Sequence, residues 1–72
     1  MERKLVSSSN LHSVGYNPTT ETLEIKFHKS GVYQYFNVPN SIYDKLMSAS
    51  SKGTFFDNHI KERFRYRKTS NL

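Results

Sequence analysis

The sequence contains no cysteine, and this absence excludes several kinds of site at once. A chain without thiols has no disulfide bond, no thiolate metal ligand and no cysteine nucleophile. Long apolar runs are also missing. The N-terminal stretch starts with charged residues but lacks the apolar segment of a signal peptide, and no segment is long enough to span a membrane. These absences predict a soluble, cytoplasmic protein that does not associate with membranes.

The chain is also short, since its 72 residues leave room for one small domain. A domain near this size buries only about 60% of the surface that its unfolded chain exposes. Five tyrosines and five phenylalanines therefore have to supply much of the core. We place the domain at residues 7–68, after a flexible lead at residues 1–6 and before a tail at residues 69–72.

The first half of the sequence shows the two-residue period of β-strands. Two segments with this period lie at residues 11–16 and 22–28. In the second segment, Leu23, Ile25 and Phe27 share one face, and polar side chains occupy the other. This alternation is typical of an antiparallel strand with one buried face.

A third segment, Val32–Asn37, is rich in aromatic and β-branched residues and predicts a central strand. Strict alternation puts Phe36 on one face, together with Val32 and Gln34, and puts Tyr33 and Tyr35 on the other. The strand has to stop at Pro39, which has no amide hydrogen to donate. Because the connections between the three segments are short, neighbouring strands should be antiparallel.

After Pro39 the apolar residues recur with the period of an α-helix. Ile42 and Leu46 belong to an apolar stripe that predicts a helix over residues 41–50, capped by Asn40 or Ser41. Ser51 is placed to cap a second helix. The predicted fold is α+β: a three-stranded antiparallel meander packed by one or two helices, with a short extended C-terminal segment. Its predicted core comprises Leu23, Ile25, Phe27, Phe36, Ile42, Leu46, Phe56 and Ile60.

The positive charge of the chain is concentrated near its C-terminus. From His59 onward there are five basic residues and one acid, so this end carries four of the five net positive charges of the chain. Such a cluster indicates an anionic partner such as nucleic acid. The alternative is a solvated terminus that keeps the protein soluble.

Short motifs in a fixed order run from residue 7 to residue 68. They are Ser8-Ser9-Asn10-Leu11, Val14-Gly15-Tyr16, Leu23-Glu24-Ile25-Lys26-Phe27, Tyr33-Gln34-Tyr35, Val38-Pro39, Ala49-Ser50-Ser51-Lys52-Gly53 and Phe55-Phe56, followed by Ile60 and the basic end. In this order they resemble the KTSC domain, whose YxY motif corresponds to Tyr33-Gln34-Tyr35. The family is named for its place at the C-terminus of some lysyl-tRNA synthetases. It also occurs as small stand-alone bacterial and phage proteins, and RNA binding is proposed for it.

Tyr33 and Tyr35 allow two interpretations. Two rings on one sheet face can stack successive bases, as in proteins that bind single-stranded nucleic acid. Alternatively, both rings pack beneath the C-terminal segment or the first strand, with their hydroxyls bonded to a partner.

Residues 50–53 also allow two interpretations. A polar, glycine-containing link before a helix offers backbone N–H groups to an anion, and Lys52 adds a positive charge. Alternatively, these residues form a corner between two helices, in which Ser51 is the cap and Gly53 permits close packing.

The sequence offers little for catalysis. Its three histidines lack metal-binding spacing, and there is no nucleophile elbow or glycine-rich phosphate loop. We therefore predict a binding module without enzymatic activity, metal or cofactor. Its partner is either nucleic acid, preferably RNA, or another protein that docks on the aromatic surface. The candidate nucleic-acid-binding residues are Arg63, Arg65, Arg67, Lys68, Lys52, Tyr33, Tyr35 and Tyr66.

Overall fold

The computed structural model describes residues 1–71 as five β-strands and two α-helices. The strands are β1 (Lys4–Leu5), β2 (Leu11–Asn17), β3 (Thr22–Phe27), β4 (Gly31–Tyr35) and β5 (Tyr66–Ser70). The helices are α1 (Asn40–Ser48) and α2 (Lys52–His59). Each strand pairs antiparallel with the next, so the sheet order is β1-β2-β3-β4-β5. The fold is α+β, as the sequence predicted.

The three predicted strands form the centre of this sheet, but the three-strand count was too low. The predicted C-terminal extended segment is a full strand, β5, which pairs with β4 and reaches Ser70 in the predicted tail. The other edge strand is Lys4–Leu5, within the predicted lead. A strand of two residues is too short to show a period, which is why the sequence did not reveal it. Leu72, the last residue of the predicted tail, lies outside the described residues.

The register between β3 and β4 decides which face of the sheet is the core. Leu23 lies opposite Tyr35, and Ile25 lies opposite Tyr33, so these four side chains point to the same face. The predicted place of Phe36 in the core is therefore wrong, because the tyrosine face of β4 is the one that packs inward. Phe36 follows the strand and is only partly buried. The buried cluster comprises Leu11, Val14, Leu23, Ile25, Phe27, Tyr35, Val38, Leu46, Phe56 and Ile60.

A β-bulge in β2 explains how Leu11 reaches the core. Leu11 lies opposite Phe27 and Ser13 lies opposite Lys26, so His12 is an extra residue in the pairing. Strict alternation from Leu11 would put this side chain on the face opposite to that of Val14, which is in the core. With the bulge, Leu11 enters the core and is fully buried.

Both helices pack on the core face, with Leu46 and Phe56 as their buried side chains. Ile42, a predicted core residue, is half-buried and packs against the core. Helix α1 starts at Asn40 directly after Pro39 and has no side-chain cap, in contrast to the predicted one. The cap on α2 is confirmed, since the Thr54 amide donates to the Ser51 hydroxyl at 3.3 Å.

The opposite face of the sheet carries a polar network. Glu24 is buried there and forms an ion pair with Arg3. Gln34 Nε2 donates to the second oxygen of Glu24 at 2.9 Å, and Arg3 Nε donates to Ser13 Oγ at 3.1 Å. Arg3 thus ties the N-terminal segment beside β1 to the centre of the sheet.

No helix within residues 1–71 has both the length and the apolar character needed to cross a membrane.

Candidate functional site

The pairing of β4 with β5 brings the sequence-predicted tyrosines together. Tyr66 lies opposite Tyr35, and Lys68 lies opposite Tyr33. Paired residues of antiparallel strands point to the same face, so all four side chains lie on the core side of the sheet. They extend that side beyond the helices towards the edge formed by β5.

The three tyrosine rings form a continuous cluster. The centroid of Tyr66 lies 5.6 Å from that of Tyr35 and 5.8 Å from that of Tyr33. Tyr33 and Tyr35 are stacked, with centroids 6.4 Å apart and planes inclined by 25°. The ammonium group of Lys68 lies 5.7 Å from the centre of the Tyr33 ring, within the range of a cation–π contact.

A groove of about 360 Å³ lies on this cluster, and we call it the tyrosine groove. Its aromatic lining consists of Phe27, Tyr33, Tyr35, Phe56 and Tyr66. Its polar lining consists of Asn10, Ser30, Asp57, Lys61 and Glu62. The volume falls within the range of about 300–1,000 Å³ seen for small-molecule sites.

The three tyrosines differ in exposure and therefore in what they can do. Tyr35 is only 4% exposed and packs edge to face against Phe56, so its ring forms the buried base of the groove. Tyr33 is half-buried, whereas Tyr66 is 58% exposed. Tyr35 is thus a core residue, whereas Tyr33 contributes to an open surface, and the stacking of bases on the pair stays a prediction.

Burial also affects the acidity of Tyr35. Desolvation of its hydroxyl raises the pKa of Tyr35 well above the ordinary value, and the nearby Tyr33 and Tyr66 hydroxyls add to the rise. The hydroxyl of Tyr35 therefore keeps its proton to a higher pH than an exposed tyrosine does.

The charges on the rim are mixed. Lys61, Asp57 and Glu62 line the groove, Lys68 lies next to the Tyr33 ring, and all four side chains are exposed. Within the described part of the chain, neither carboxylate forms a hydrogen bond or an ion pair. Both are consequently free to accept hydrogen bonds from a ligand.

The predicted basic residues do not all gather at this groove. Arg67 lies opposite Gln34, on the face of the sheet that carries Glu24. Arg63 and Arg65 are exposed in the segment between α2 and β5 and do not line the groove. Tyr66 is exposed rather than packed inward, and β5 directs Arg67 and Lys68 to opposite faces.

Lys52 lies in a different place again. Its ammonium group donates to the carbonyl oxygen of Ala49 at 3.1 Å, at the C-terminal end of α1. It lines a second, polar groove of about 570 Å³ formed by residues 7–10, 50–54 and Asp57. With Ser51 as a cap, residues 50–53 have the geometry of the predicted corner between helices.

Positive charge and aromatic rings, the signals of a nucleic-acid site in the sequence, do not point to the rim residues Asn10, Asp57 and Glu62. Asp57 and Lys61 directly follow the buried Phe56 and Ile60, which repeat with helical spacing, and this repeat was the available signal. Asp57 lies in α2, and Lys61 lies in the turn after the helix ends at His59. Asn10 reaches the rim from the start of β2 and carries no local signal of its own.

Comparison with known proteins relates the whole chain to one family. The family model described as KTSC domain matches residues 7–64. A crystal structure of a KTSC domain protein from Yersinia pestis superposes with a TM-score of 0.94 at 48% sequence identity, covering 94% of this chain and 96% of that one.

Relatives of two sizes are found. An uncharacterised protein of Stutzerimonas stutzeri is 36% identical over 67 residues, covering 92% of this chain and 94% of the relative. A lysine–tRNA ligase of a Nostoc species is 42% identical over 55 residues, covering 76% of this chain but only 10% of the ligase. The chain thus spans about a tenth of the length of the ligases that it matches. Its fold, its motifs and these matches agree: the chain belongs to the KTSC domain family.

Proposed function

We propose that this domain is a non-enzymatic module that binds single-stranded nucleic acid, preferably RNA, at the tyrosine groove. The observation that carries the proposal is the exposed ring of Tyr66 beside Tyr33, on a buried aromatic floor and next to Lys68. Proteins that bind single strands combine aromatic rings, on which bases stack, with basic groups that contact the backbone. The tyrosine groove offers both within one small surface.

The net charge of +5 supports the same partner. Lys61 and Lys68 stand at the groove, and the exposed Arg63 and Arg65 lie in the segment that leads into β5. In this proposal Lys68, rather than Arg67, makes the leading phosphate contact. The match to lysine–tRNA ligases favours RNA, because it places a domain of this family on the same chain as an enzyme named for its action on tRNA.

The proposal is tested by fluorescence anisotropy with labelled single-stranded RNA, tRNA and duplex DNA at several salt concentrations. We expect Tyr66→Ala to lower the affinity roughly 5- to 150-fold, since stacking on one aromatic ring is worth about 1–3 kcal/mol per base. Tyr66→Phe retains the ring and should retain the affinity. Because Tyr66 is exposed, neither variant should unfold the domain, and circular dichroism checks this.

Lysine and arginine variants locate the phosphate contacts. Each contact contributes about −0.7 to the slope of log affinity against log salt for single strands. We expect Lys68→Gln to flatten the slope by about this amount, whereas Arg67→Gln, on the other face, should change it less. Lys45→Gln removes the same charge from an exposed position on α1 and is the matched control. Equal effects of all three variants would mean that net charge acts and that no site exists at the groove.

One observation favours the alternative, a protein-docking module. Leu5 on the edge strand β1 is 77% exposed, and an edge strand can pair with an extended segment of another protein. If no nucleic acid binds even near 50 mM salt, where phosphate contacts are strong, the docking function replaces the first proposal.

A further inference from the structure

The rim of the tyrosine groove carries two carboxylates, which a site that only attracts phosphates would not have. Asp57 is exposed in α2, and Glu62 is exposed in the turn that follows. Both line the groove, and neither forms a hydrogen bond or an ion pair within residues 1–71. On a basic protein such carboxylates weaken the attraction of a backbone phosphate, so phosphate binding alone does not explain their presence at the groove.

Carboxylates accept hydrogen bonds from base edges, and each base presents a different edge. Guanine offers two adjacent donors on its Watson–Crick edge, the ring N–H and the exocyclic amino group, which one carboxylate can accept together. Adenine and cytosine each place an acceptor nitrogen beside their amino group, and that nitrogen repels a carboxylate. Uracil offers one N–H between two carbonyl oxygens. A carboxylate at the rim therefore selects guanine among the four bases.

The neighbouring ammonium group completes the match. The carbonyl oxygen of guanine adjoins its ring N–H and accepts hydrogen bonds, and Lys61 lies on the same rim as Asp57 and Glu62. An ammonium beside a carboxylate mirrors the acceptor–donor–donor order of that edge. The aromatic side chains below supply a surface on which the flat base can stack.

We infer that the tyrosine groove is a guanine-selective subsite, in which a base stacked on Tyr66 presents its Watson–Crick edge to Asp57 or Glu62 and to Lys61. This inference rests on the proposed function, since it names the base that the same groove prefers. Lys68 and the arginines before β5 then contact the backbone on either side of that base.

The test compares uridine oligonucleotides of about nine residues, within the usual site size of single-strand binders. One probe contains uridine alone, and three others carry a central guanosine, adenosine or cytidine. We expect the guanosine probe to bind about 5- to 150-fold more tightly than the uridine probe, the range of one well-formed two-bond contact to a base. The combined variant Asp57→Asn and Glu62→Gln should lose that preference and still bind uridine. Asp44→Asn, an exposed acid of α1 outside the groove, should retain the preference.

The outcomes separate the inference from the function on which it rests. If no probe binds, the proposed function fails as a whole. If all four probes bind equally, the nucleic-acid function stands and the guanine subsite is refuted. A uniform gain of affinity in the doubly substituted variant also overturns the inference, because the carboxylates then act only by repelling phosphates.

Discussion

Tyr35, the last residue of β4, and Phe36, which follows it, show what the sequence alone cannot assign. The sequence placed Phe36 in the core and left Tyr35 open between core and surface, but Tyr35 is buried and Phe36 is only partly so. Alternation along one strand identifies two faces and does not say which faces inward. The register with β3 decides this, because Tyr35 lies opposite the fully buried Leu23. Hydrophobicity favoured Phe36 as the core residue, but the pairing of β4 with β3 puts Tyr35 in the core instead.

The buried hydroxyl of Tyr35 predicts a loss of stability in alkali. Its pKa is raised in the folded state, so the folded protein keeps a proton that the unfolded chain releases above about pH 10. The contribution is complete below that pH, and the free energy of unfolding should fall as the pH rises further. We expect Tyr35→Phe, which cannot ionise, to show a smaller fall.

Urea unfolding at about pH 9, 10 and 11 measures this difference directly. The variant should retain some dependence on pH, because burial and the nearby Glu21 and Asp44 also raise the pKa of Tyr16. The same decline in the parent and in Tyr35→Phe would contradict the prediction.

Elements whose apolar residues repeat over several positions could be predicted from the sequence, whereas features that depend on pairing with a neighbouring strand could not. The strands β2, β3 and β4 and both helices follow from apolar residues that recur over five or more positions. The bulge at His12 and the strand Lys4–Leu5 depend on hydrogen bonds with a neighbouring strand, and neither leaves a periodic trace. The tyrosine groove shares this origin: its aromatic residues were evident in the sequence, but the rim comes from α2 and from the connections before β2, before β4 and after α2.

Two glycines in different elements should respond to alanine in opposite ways. A Cβ on Gly53, in the first turn of α2, would approach its nearest neighbour, Asn10 Cβ, at 3.7 Å, an ordinary contact. The close packing predicted at Gly53 is therefore not required. Gly53→Ala should raise the free energy of unfolding by about 0.5–1 kcal/mol, because alanine loses less backbone entropy in a helix.

Gly31→Ala should have the opposite effect on the free energy of unfolding. Gly31 has φ +94, and a Cβ there would collide with the carbonyl oxygen of Ser70 in β5. We expect this variant to be destabilised and the pairing of β4 with β5 to be disturbed. Thermal unfolding of both variants beside the parent measures the two effects, and a less stable Gly53→Ala would show that the helix needs its glycine.

At the scale of the whole molecule, the amount of positive charge could be predicted from the sequence, but the faces to which the basic side chains point could not. The basic end was evident from composition, but the alternation of side chains along β5 sends Arg67 and Lys68 to opposite faces. A single strand with alternating faces cannot present consecutive basic residues to one ligand. This geometry moves the centre of the proposed site from the arginines to Lys68 and the tyrosines.

The last strand of the chain also determines when the groove can exist. Tyr35 and Tyr66 pair across about thirty residues that include both helices, whereas β3 and β4 join through a turn of a few residues. Closing the longer loop costs about 2 kcal/mol more chain entropy than closing the short one. We therefore expect β5 to join the sheet late in folding and to leave it first during local opening. Hydrogen exchange should find the β5 amides that bond to β4 less protected than those between β3 and β4. Equal protection would contradict this order. A ligand that bridges Tyr33 and Tyr66 would link β4 to β5, and it should therefore slow hydrogen exchange in β5.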